Sequence, residues 1–181
     1  MNDQKRKTNF LENSQKVFNG IRFDVHAIEL EGTSGKPLQR EAVVHPGAVV
    51  ILPIVDPKNI VLIRNERFAV DEILWELPAG TLEPNEPPEV TAKRELLEET
   101  GYECQHLTAM PPFYTTPGYC TEIMYAYVAT GLSFRGQELE DSEKIEVEIL
   151  HWKDVLQLIK SGEIRDGKTI ATLLYYKAFL D

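Results

Sequence analysis

Two short apolar runs constrain the fold of this chain more than any other feature of its sequence. Residues 47–55 read GAVVILPIV and residues 60–64 read IVLIR, and a turn sequence, DPKN, separates them. Short apolar runs bounded by turn residues are typical of strands in the interior of a sheet. The two runs are therefore predicted to be central strands.

Weaker patterns surround these runs. Residues 1 to about 15 are polar and are predicted to be a loosely docked tail. Alternating residues over 17–27, a turn over 32–37 and a returning strand over 38–45 predict a small antiparallel unit. Further strands are predicted at 73–77, 122–130 and 145–152, with helices at 88–100, within 155–159 and over 170–180. Strands mixed with so few helices predict an α/β or α+β sandwich, with residues 1–45 as tail and antiparallel unit and residues 46–181 as main domain.

Composition and charge exclude several functional classes. The 181 residues carry 19 Lys+Arg against 29 Asp+Glu, a formal charge of -10, which disfavours nucleic-acid and anionic-membrane partners. No apolar run is long enough to span a bilayer, and the polar N-terminus does not resemble a signal peptide. Cys104 and Cys120 cannot form a zinc knuckle or a disulfide framework. A cytoplasmic protein that acts on a small molecule is expected.

The segment from Gly80 to Tyr102 carries the chemistry. Pro88 suits the first turn of its predicted helix and Gly101 suits the end. On that helix Glu95, Glu98 and Glu99 fall within an arc of about 100°, so three carboxylates share one face. Such like charges repel, and Arg94 offsets part of the repulsion by pairing with Glu98. Either this face is a solvated acidic surface, or it binds a divalent cation, and oxygen ligands select Mg²⁺ or Mn²⁺.

The spacing of the flanking residues favours the second reading. The segment fits the pattern G-x5-E-x7-R-E-U-x-E-E-x-G-U and departs from it only at Tyr102, where an aliphatic residue is usual. With this pattern the chain resembles the Nudix hydrolases. The resemblance implies a sandwich of helices on a mixed sheet that holds Mg²⁺, with Mn²⁺ as a substitute, and that cleaves pyrophosphate bonds with water. It implies metal ligands at Glu95, Glu99 and the carbonyl of Ala79, and a Glu98 that shares a second metal or orders its water. It also implies a supporting role for Glu86 and an Arg94 that holds the glutamates in place.

Residues outside the pattern narrow the expected substrate. Pro117 and Gly118, sixteen and seventeen residues after Gly101, look like the marker of the branch that cleaves ADP-ribose and nucleotide sugars, although a simple turn is the alternative. The stretches REAVVHPGAVVILP (40–53), IRNER (63–67) and WELPAG (75–80) are similar to that branch, and the last places Glu76 among the expected substrate-binding residues.

Two further groups of residues are assigned by chemistry and by the same resemblance. Arg40, Arg64 and Arg67 are the best candidates to contact a diphosphate, because a guanidinium matches two phosphate oxygens. A surface ion-pair partner is an equal alternative for each of them. The acidic loop at 137–143 occupies the place of a catalytic glutamate in this branch. Matching from Ile145 puts Glu143 at a metal-ligand position and Asp141 at the base position, and Glu140 is an alternative base.

The sequence as a whole predicts a Mg²⁺-dependent pyrophosphatase for ADP-ribose or related nucleoside diphosphate sugars. The resemblance also implies a homodimer whose N-terminal unit completes the substrate site. Two alternatives stay open. One is another pyrophosphate substrate, such as GDP-mannose, a dinucleoside polyphosphate or a damaged nucleoside triphosphate. The other is a non-catalytic module that binds a nucleotide sugar.

Overall fold

The structure, a computed structural model, describes residues 10–139 and 144–181. These residues form two units. The N-terminal unit contains the described residues up to Pro46 together with Thr116–Glu122, and the main unit contains Gly47–Thr115 and Ile123–Asp181. None of the helices in the described part of the chain is both long and apolar enough to span a membrane.

The N-terminal unit is an antiparallel sheet of three strands. A short helix, α1 (Phe10–Asn13), precedes β1 (Gln15–Asn19), β2 (Asp24–Glu31) and β3 (Pro37–Val44), which pair in the order β1-β2-β3. The alternating pattern over 17–27 predicts one strand, but the chain turns between β1 and β2, where the Gly20 N–H donates to the Phe23 carbonyl at 3.1 Å. Helix α1 and the start of β1 also lie in the region predicted to be a loosely docked tail.

The main unit contains a mixed sheet with helices on both faces. The elements of this unit are β4 (Ala48–Asp56), β5 (Asn59–Arg67), β6 (Glu72–Glu76), β7 (Ala79–Thr81), α2 (Pro88–Thr100), β8 (Tyr102–Ala109), β9 (Phe113–Tyr114), β10 (Ile123–Phe134), β11 (Ile145–His151), α3 (Trp152–Ser161) and α4 (Gly167–Phe179). The longest path of paired strands has the order β11-β5-β4-β10-β8, and β4 runs parallel to β10 but antiparallel to β5.

The apolar run of β4 is continuous because both of its faces are buried. Successive side chains of a strand point to opposite faces of the sheet. Val50 and Leu52 join a core with residues of α3 and α4, whereas Val49 and Ile51 join a second core with α2. The predicted α/β sandwich is therefore confirmed, with β4 and β5 as its central strands.

Helix α2 has the bounds that the sequence predicts, from Pro88 to Thr100. Gly101 ends it in the left-handed conformation, with φ 75°, and donates its N–H to the Leu97 carbonyl at 2.7 Å. Strand β8, directly after this helix, is absent from the sequence prediction. It lies at one end of the strand order and is mostly exposed, so its pattern of apolar residues is weak.

Candidate active site

Helix α2 turns its acidic face toward the sheet. Glu95 and Glu99 are only 8% and 3% exposed, and they share the buried side of the helix with Ala92 and Leu96. Val90, on the opposite side, is 51% exposed. Fully buried glutamates are rare, and a buried charge is costly unless other groups compensate it. At Glu95 and Glu99 the acidic face is therefore packed inside the protein and is not a solvated surface.

Arg94 joins the acidic residues of the helix to the preceding loop. Its Nε and Nη2 donate to Glu86 at 3.2 and 3.1 Å, and its Nη1 donates to Glu95 Oε1 at 2.8 Å and to Glu98 Oε2 at 2.9 Å. The hydrogen bonds with Glu86 contribute most to raising the pKa of Arg94. The charge of Glu95 and the hydrogen bonds to Glu95 and Glu98 add to this effect, and together they outweigh its partial burial. The Thr91 hydroxyl also donates to Glu86 at 2.8 Å, so this glutamate fixes the loop to the helix.

Strand β7 brings its backbone against the same carboxylates. The Ala79 N–H donates to Glu99 Oε2 at 2.8 Å. A β-carbon on Gly80 would stand 1.9 Å from Glu95 Oε1, so only glycine leaves room for that carboxylate. On the other side, Gln137 Nε2 donates to the backbone carbonyl of Glu99 at 2.6 Å. Helix α2 is thus held between β7 and the segment that follows β10.

The donor chemistry of this site fits a hard divalent cation. Three carboxylates, those of Glu86, Glu95 and Glu98, contact Arg94, and the buried Glu99, one turn after Glu95, adds a fourth to the same side of the helix. This excess of negative charge favours a cation, and oxygen donors suit Mg²⁺ or Mn²⁺. Within residues 10–139 and 144–181, no three His, Cys, Asp or Glu side chains already form a group that could hold a metal ion. Glu95 and Glu98 each direct one oxygen to Arg94 instead.

A second charged cluster lies where β5, β6 and the start of α4 meet. Glu76 is 1% exposed and accepts from Arg67 Nε at 2.7 Å and Nη2 at 2.6 Å, and Lys168 also donates to it. Burial by itself would raise the pKa of Glu76, but the Arg67 hydrogen bonds and the two positive charges outweigh it and lower the pKa. Lys168 in turn lies 3.1 Å from Asp166 Oδ1, and Asp166 caps α4 by accepting from the Thr169 N–H at 2.9 Å.

The other predicted site residues that the structure describes have different partners or belong to the N-terminal unit. Arg64 lies 3.4 Å from Glu146, and its guanidinium stands 5.5 Å from the centre of the Trp75 ring. Arg40 is exposed on β3 of the N-terminal unit, where its Nη1 donates to the Gln39 carbonyl at 3.3 Å.

Pro117 and Gly118 also belong to the N-terminal unit. They form a turn in which the N–H groups of Tyr119 and Cys120 donate to the Thr116 carbonyl at 3.1 and 3.0 Å. The three candidate acids of the loop, Glu140, Asp141 and Glu143, lie outside the residues that the structure describes.

Several residues that contact these clusters are not predicted from the sequence, and two of them make their contacts across long stretches of sequence. Lys168 contacts Glu76 across 92 positions of sequence, and Gln137 contacts Glu99 across 38. No local signal predicts either contact. Asp166 and Gly167 predict only the beginning of a helix. Gln137 lies in the loop at 137–143, where only the acidic residues are candidates for the site.

Comparison with known proteins identifies the family. The model of the NUDIX domain matches residues 44–173, a range that contains both charged clusters. The chain belongs to the NUDIX family. The family, the fold and the class of enzyme predicted from the sequence, a Nudix pyrophosphatase, are confirmed. Members of the NUDIX family generally need a divalent metal ion.

Relatives of this NUDIX protein carry several names. It is 39% identical over 163 residues to the ADP-ribose pyrophosphatase of Bacillus subtilis, covering 89% of this chain and 88% of that protein. It is 37% identical to the methanol dehydrogenase activator of Bacillus methanolicus, with 90% and 89% of the two chains covered. It is 34% identical to a GDP-mannose pyrophosphatase of Escherichia coli, with 88% and 91% covered. The crystal structure of an ADP compounds hydrolase has the same fold, with a TM-score of 0.81, 24% identity, and 93% and 91% of the two chains covered.

Proposed function

We propose that this NUDIX protein hydrolyses the pyrophosphate bond of ADP-ribose and related nucleoside diphosphate sugars. The products are a nucleoside monophosphate and a sugar phosphate. The observation that carries the proposal is the pair of buried carboxylates, Glu95 and Glu99, held against β7 in a chain that is 39% identical to an ADP-ribose pyrophosphatase. Burial of acidic residues costs stability, so a purely structural role does not explain the cluster. The cluster is suited to bind a divalent cation that contacts a diphosphate.

The metal in this proposal is Mg²⁺, with Mn²⁺ as a substitute. Glu95, Glu99 and the carbonyl of Ala79 hold it, and Glu98 binds a second ion or orders its water. A bound divalent ion neutralises phosphate oxygens and lowers the pKa of a bound water. Arg94 holds Glu95 and Glu98 side by side through its Nη1, and both carboxylates would reorient to meet the ion.

The remaining predicted residues bind the substrate or move a proton. Arg67, Arg64 and Arg40 contact the diphosphate, and Pro117 and Gly118 shape the cleft for the rest of the substrate. One acid of the loop accepts the proton of the attacking water. Asp141 is the first choice and Glu140 the alternative, with Glu143 as a further metal ligand.

The protein is further proposed to act in the cytoplasm as a homodimer, without nucleic-acid or membrane partners. The N-terminal unit supports the dimer, because its strands and the turn between β1 and β2 expose apolar side chains that a second copy would cover. These side chains, all at least 39% exposed, are Val17, Phe18, Ile21, Phe23 and Leu38. The formal charge of -10 supports a small-molecule substrate and no nucleic acid.

A substrate panel tests the proposed activity. Purified protein is incubated with ADP-ribose, GDP-mannose, a dinucleoside polyphosphate and an oxidised nucleoside triphosphate, each with Mg²⁺, with Mn²⁺ and with EDTA. The products are separated by ion-exchange chromatography. We expect ADP-ribose to give the highest kcat/KM and to yield AMP and ribose 5-phosphate only when metal is present. Tight binding of ADP-ribose without metal-dependent turnover would identify a non-catalytic module instead.

GDP-mannose is the second candidate substrate. A relative that carries the name GDP-mannose pyrophosphatase is 34% identical over 175 residues. The same panel separates the two, since preference for GDP-mannose would release GMP and mannose 1-phosphate. A non-catalytic role is less compatible with the site, because Glu86, Glu95, Glu98 and Glu99 are all present.

A further inference from the structure

Glu76 is too deeply buried to contact a substrate directly. Its side chain is 1% exposed, and its two oxygens accept from Arg67 and Lys168. Arg67, by contrast, is 37% exposed. The hydrogen bonds to Glu76 use Nε and Nη2 of Arg67, so Nη1 lies on the other side of the guanidinium. The group able to meet a ligand in this cluster is therefore the arginine.

We propose that Glu76 is a positioning residue, which fixes the Arg67 guanidinium so that its exposed side binds the diphosphate of the substrate. The proposal rests on the pyrophosphatase activity proposed above and adds a role for a buried residue that does not touch substrate. An arginine side chain has several rotatable bonds, and a two-point contact with a carboxylate restricts it to one orientation. The restriction is in place before substrate binds, so binding does not have to order the side chain.

The position of Arg67 relative to the acidic helix supports this role. Arg67 donates to Glu76, and Ala79, three residues after Glu76, donates its N–H to Glu99 Oε2 at 2.8 Å, so one short segment contacts both the arginine and a proposed metal ligand. A diphosphate whose oxygens meet a cation at Glu95 and Glu99 would present further oxygens to a cationic group nearby. Arg67 is a suitable group because guanidinium and phosphate match in geometry.

Glu76 is itself held from the start of helix α4. Lys168 in the first turn of α4 donates to Glu76, and the Leu77 N–H, one residue further along the chain, donates to Thr169 Oγ1 at 2.8 Å. Thr169 and Leu77 are both fully buried. These contacts fix the backbone and the side chain of Glu76 at the same point. The carboxylate of Glu76 is therefore held in one position, and it fixes the position of the arginine.

A double-mutant cycle tests the proposal. The variants Glu76→Gln, Arg67→Ala and their combination are compared by kcat/KM for ADP-ribose with Mg²⁺. Glu76→Gln keeps the size of the side chain but loses the charge and one of the two acceptors, and we expect kcat/KM to fall about tenfold or more. In the Arg67→Ala background the same change should alter kcat/KM by less than about twofold, because the residue that Glu76 positions is already absent.

Two controls separate positioning from a general loss of structure. Glu72→Gln makes the same change on the same strand, at an exposed glutamate that pairs with Arg165, and should leave kcat/KM within about twofold of the parent. If Glu76→Gln fails to fold, the variant Glu76→Gln with Lys168→Met takes its place, because it removes one negative and one positive charge from the cluster. It should fold and show the same loss and the same insensitivity to Arg67→Ala.

The outcomes distinguish this inference from the proposed activity. A parent protein that hydrolyses no nucleoside diphosphate sugar contradicts the proposed activity itself. An active parent in which Glu76→Gln keeps full kcat/KM, or lowers it by the same factor with and without Arg67, overturns the positioning role. Equal factors in the two backgrounds would show that Glu76 acts only on the general structure of the site.

Discussion

Gly80 of β7 leaves room for the carboxylate of Glu95, because a β-carbon at this position would stand 1.9 Å from Glu95 Oε1. The substitution Gly80→Ala must therefore push the Glu95 carboxylate out of its place. A displacement of about 1 Å at a catalytic group can cost about a hundredfold in rate. We expect at least that loss in kcat for ADP-ribose hydrolysis, measured by product release with saturating Mg²⁺.

A second glycine provides the control for this prediction. A β-carbon at Gly167, at the start of α4, would meet no atom within 4 Å, and the backbone there does not have a positive φ. Gly167→Ala should therefore keep kcat close to that of the parent. Parental turnover in Gly80→Ala would show that the position of Glu95 does not matter for the reaction.

Glu99→Gln separates the chemical role of the acidic face from its structural role. Gln keeps an oxygen that can accept from the Ala79 N–H, now 2.8 Å from Glu99 Oε2, so the melting temperature should change little. The loss of a charged metal ligand should lower kcat by about a hundredfold or more. Glu89→Gln, at an exposed position of the same helix, is the matched control and should be fully active. Undiminished turnover in Glu99→Gln would contradict the ligand role.

Arg94→Lys tests whether the acidic residues need a guanidinium or only a positive charge. Arg94 makes four hydrogen bonds, to Glu86, Glu95 and Glu98, and one ammonium cannot reach all of these acceptors. The carboxylates that lose a hydrogen bond to Arg94 should repel one another and lower the free energy of unfolding by about 1–3 kcal/mol. Urea denaturation measures this change. Lys93→Arg, one residue away and exposed, is the control and should not change the free energy of unfolding. Equal stability of Arg94→Lys and the parent would show that the several hydrogen bonds of the guanidinium are not needed.

Local sequence patterns predict the core of this fold well. The continuous apolar run of β4 predicts a central strand because the strand is buried on both faces, and Pro88 with Gly101 predicts the bounds of α2. Strand β8 escapes prediction because an exposed edge strand has little apolar pattern. The turn at Gly20 is not predicted, because the alternation of apolar and polar residues continues across it.

The candidate site is predictable only where its residues are close in sequence. Spacing along one helix brings Glu95, Glu98 and Glu99 to one face, but it cannot show that this face is the buried one. The apolar residues Val90 and Leu97 suggest the opposite side, yet Val90 is half exposed. Contacts such as that between Lys168 and Glu76 depend on the path of the chain through the whole sheet, so no local pattern contains them.

The acid stability of the protein should depend on Glu76. Its pKa in the folded state is lowered from 4.5, because the effects of Arg67 and Lys168 together exceed that of burial. A carboxyl whose folded pKa lies below its unfolded pKa stabilises the fold above the unfolded value, and this contribution is lost as the pH falls through the folded pKa. The free energy of unfolding should therefore decrease as the pH falls below about 4.5. Glu86 contributes in the same direction, since its hydrogen bonds with Arg94 lower its pKa.

Urea denaturation of the parent and of Glu76→Gln between about pH 3 and pH 6 measures this dependence. In Glu76→Gln no carboxyl titrates at this position, so the dependence of stability on pH should be shallower than in the parent. Glu89→Gln, which removes an exposed carboxyl of α2, should follow the parent curve. Parallel curves for Glu76→Gln and the parent would mean that Arg67 and Lys168 do not favour the charged form of Glu76 in the folded protein.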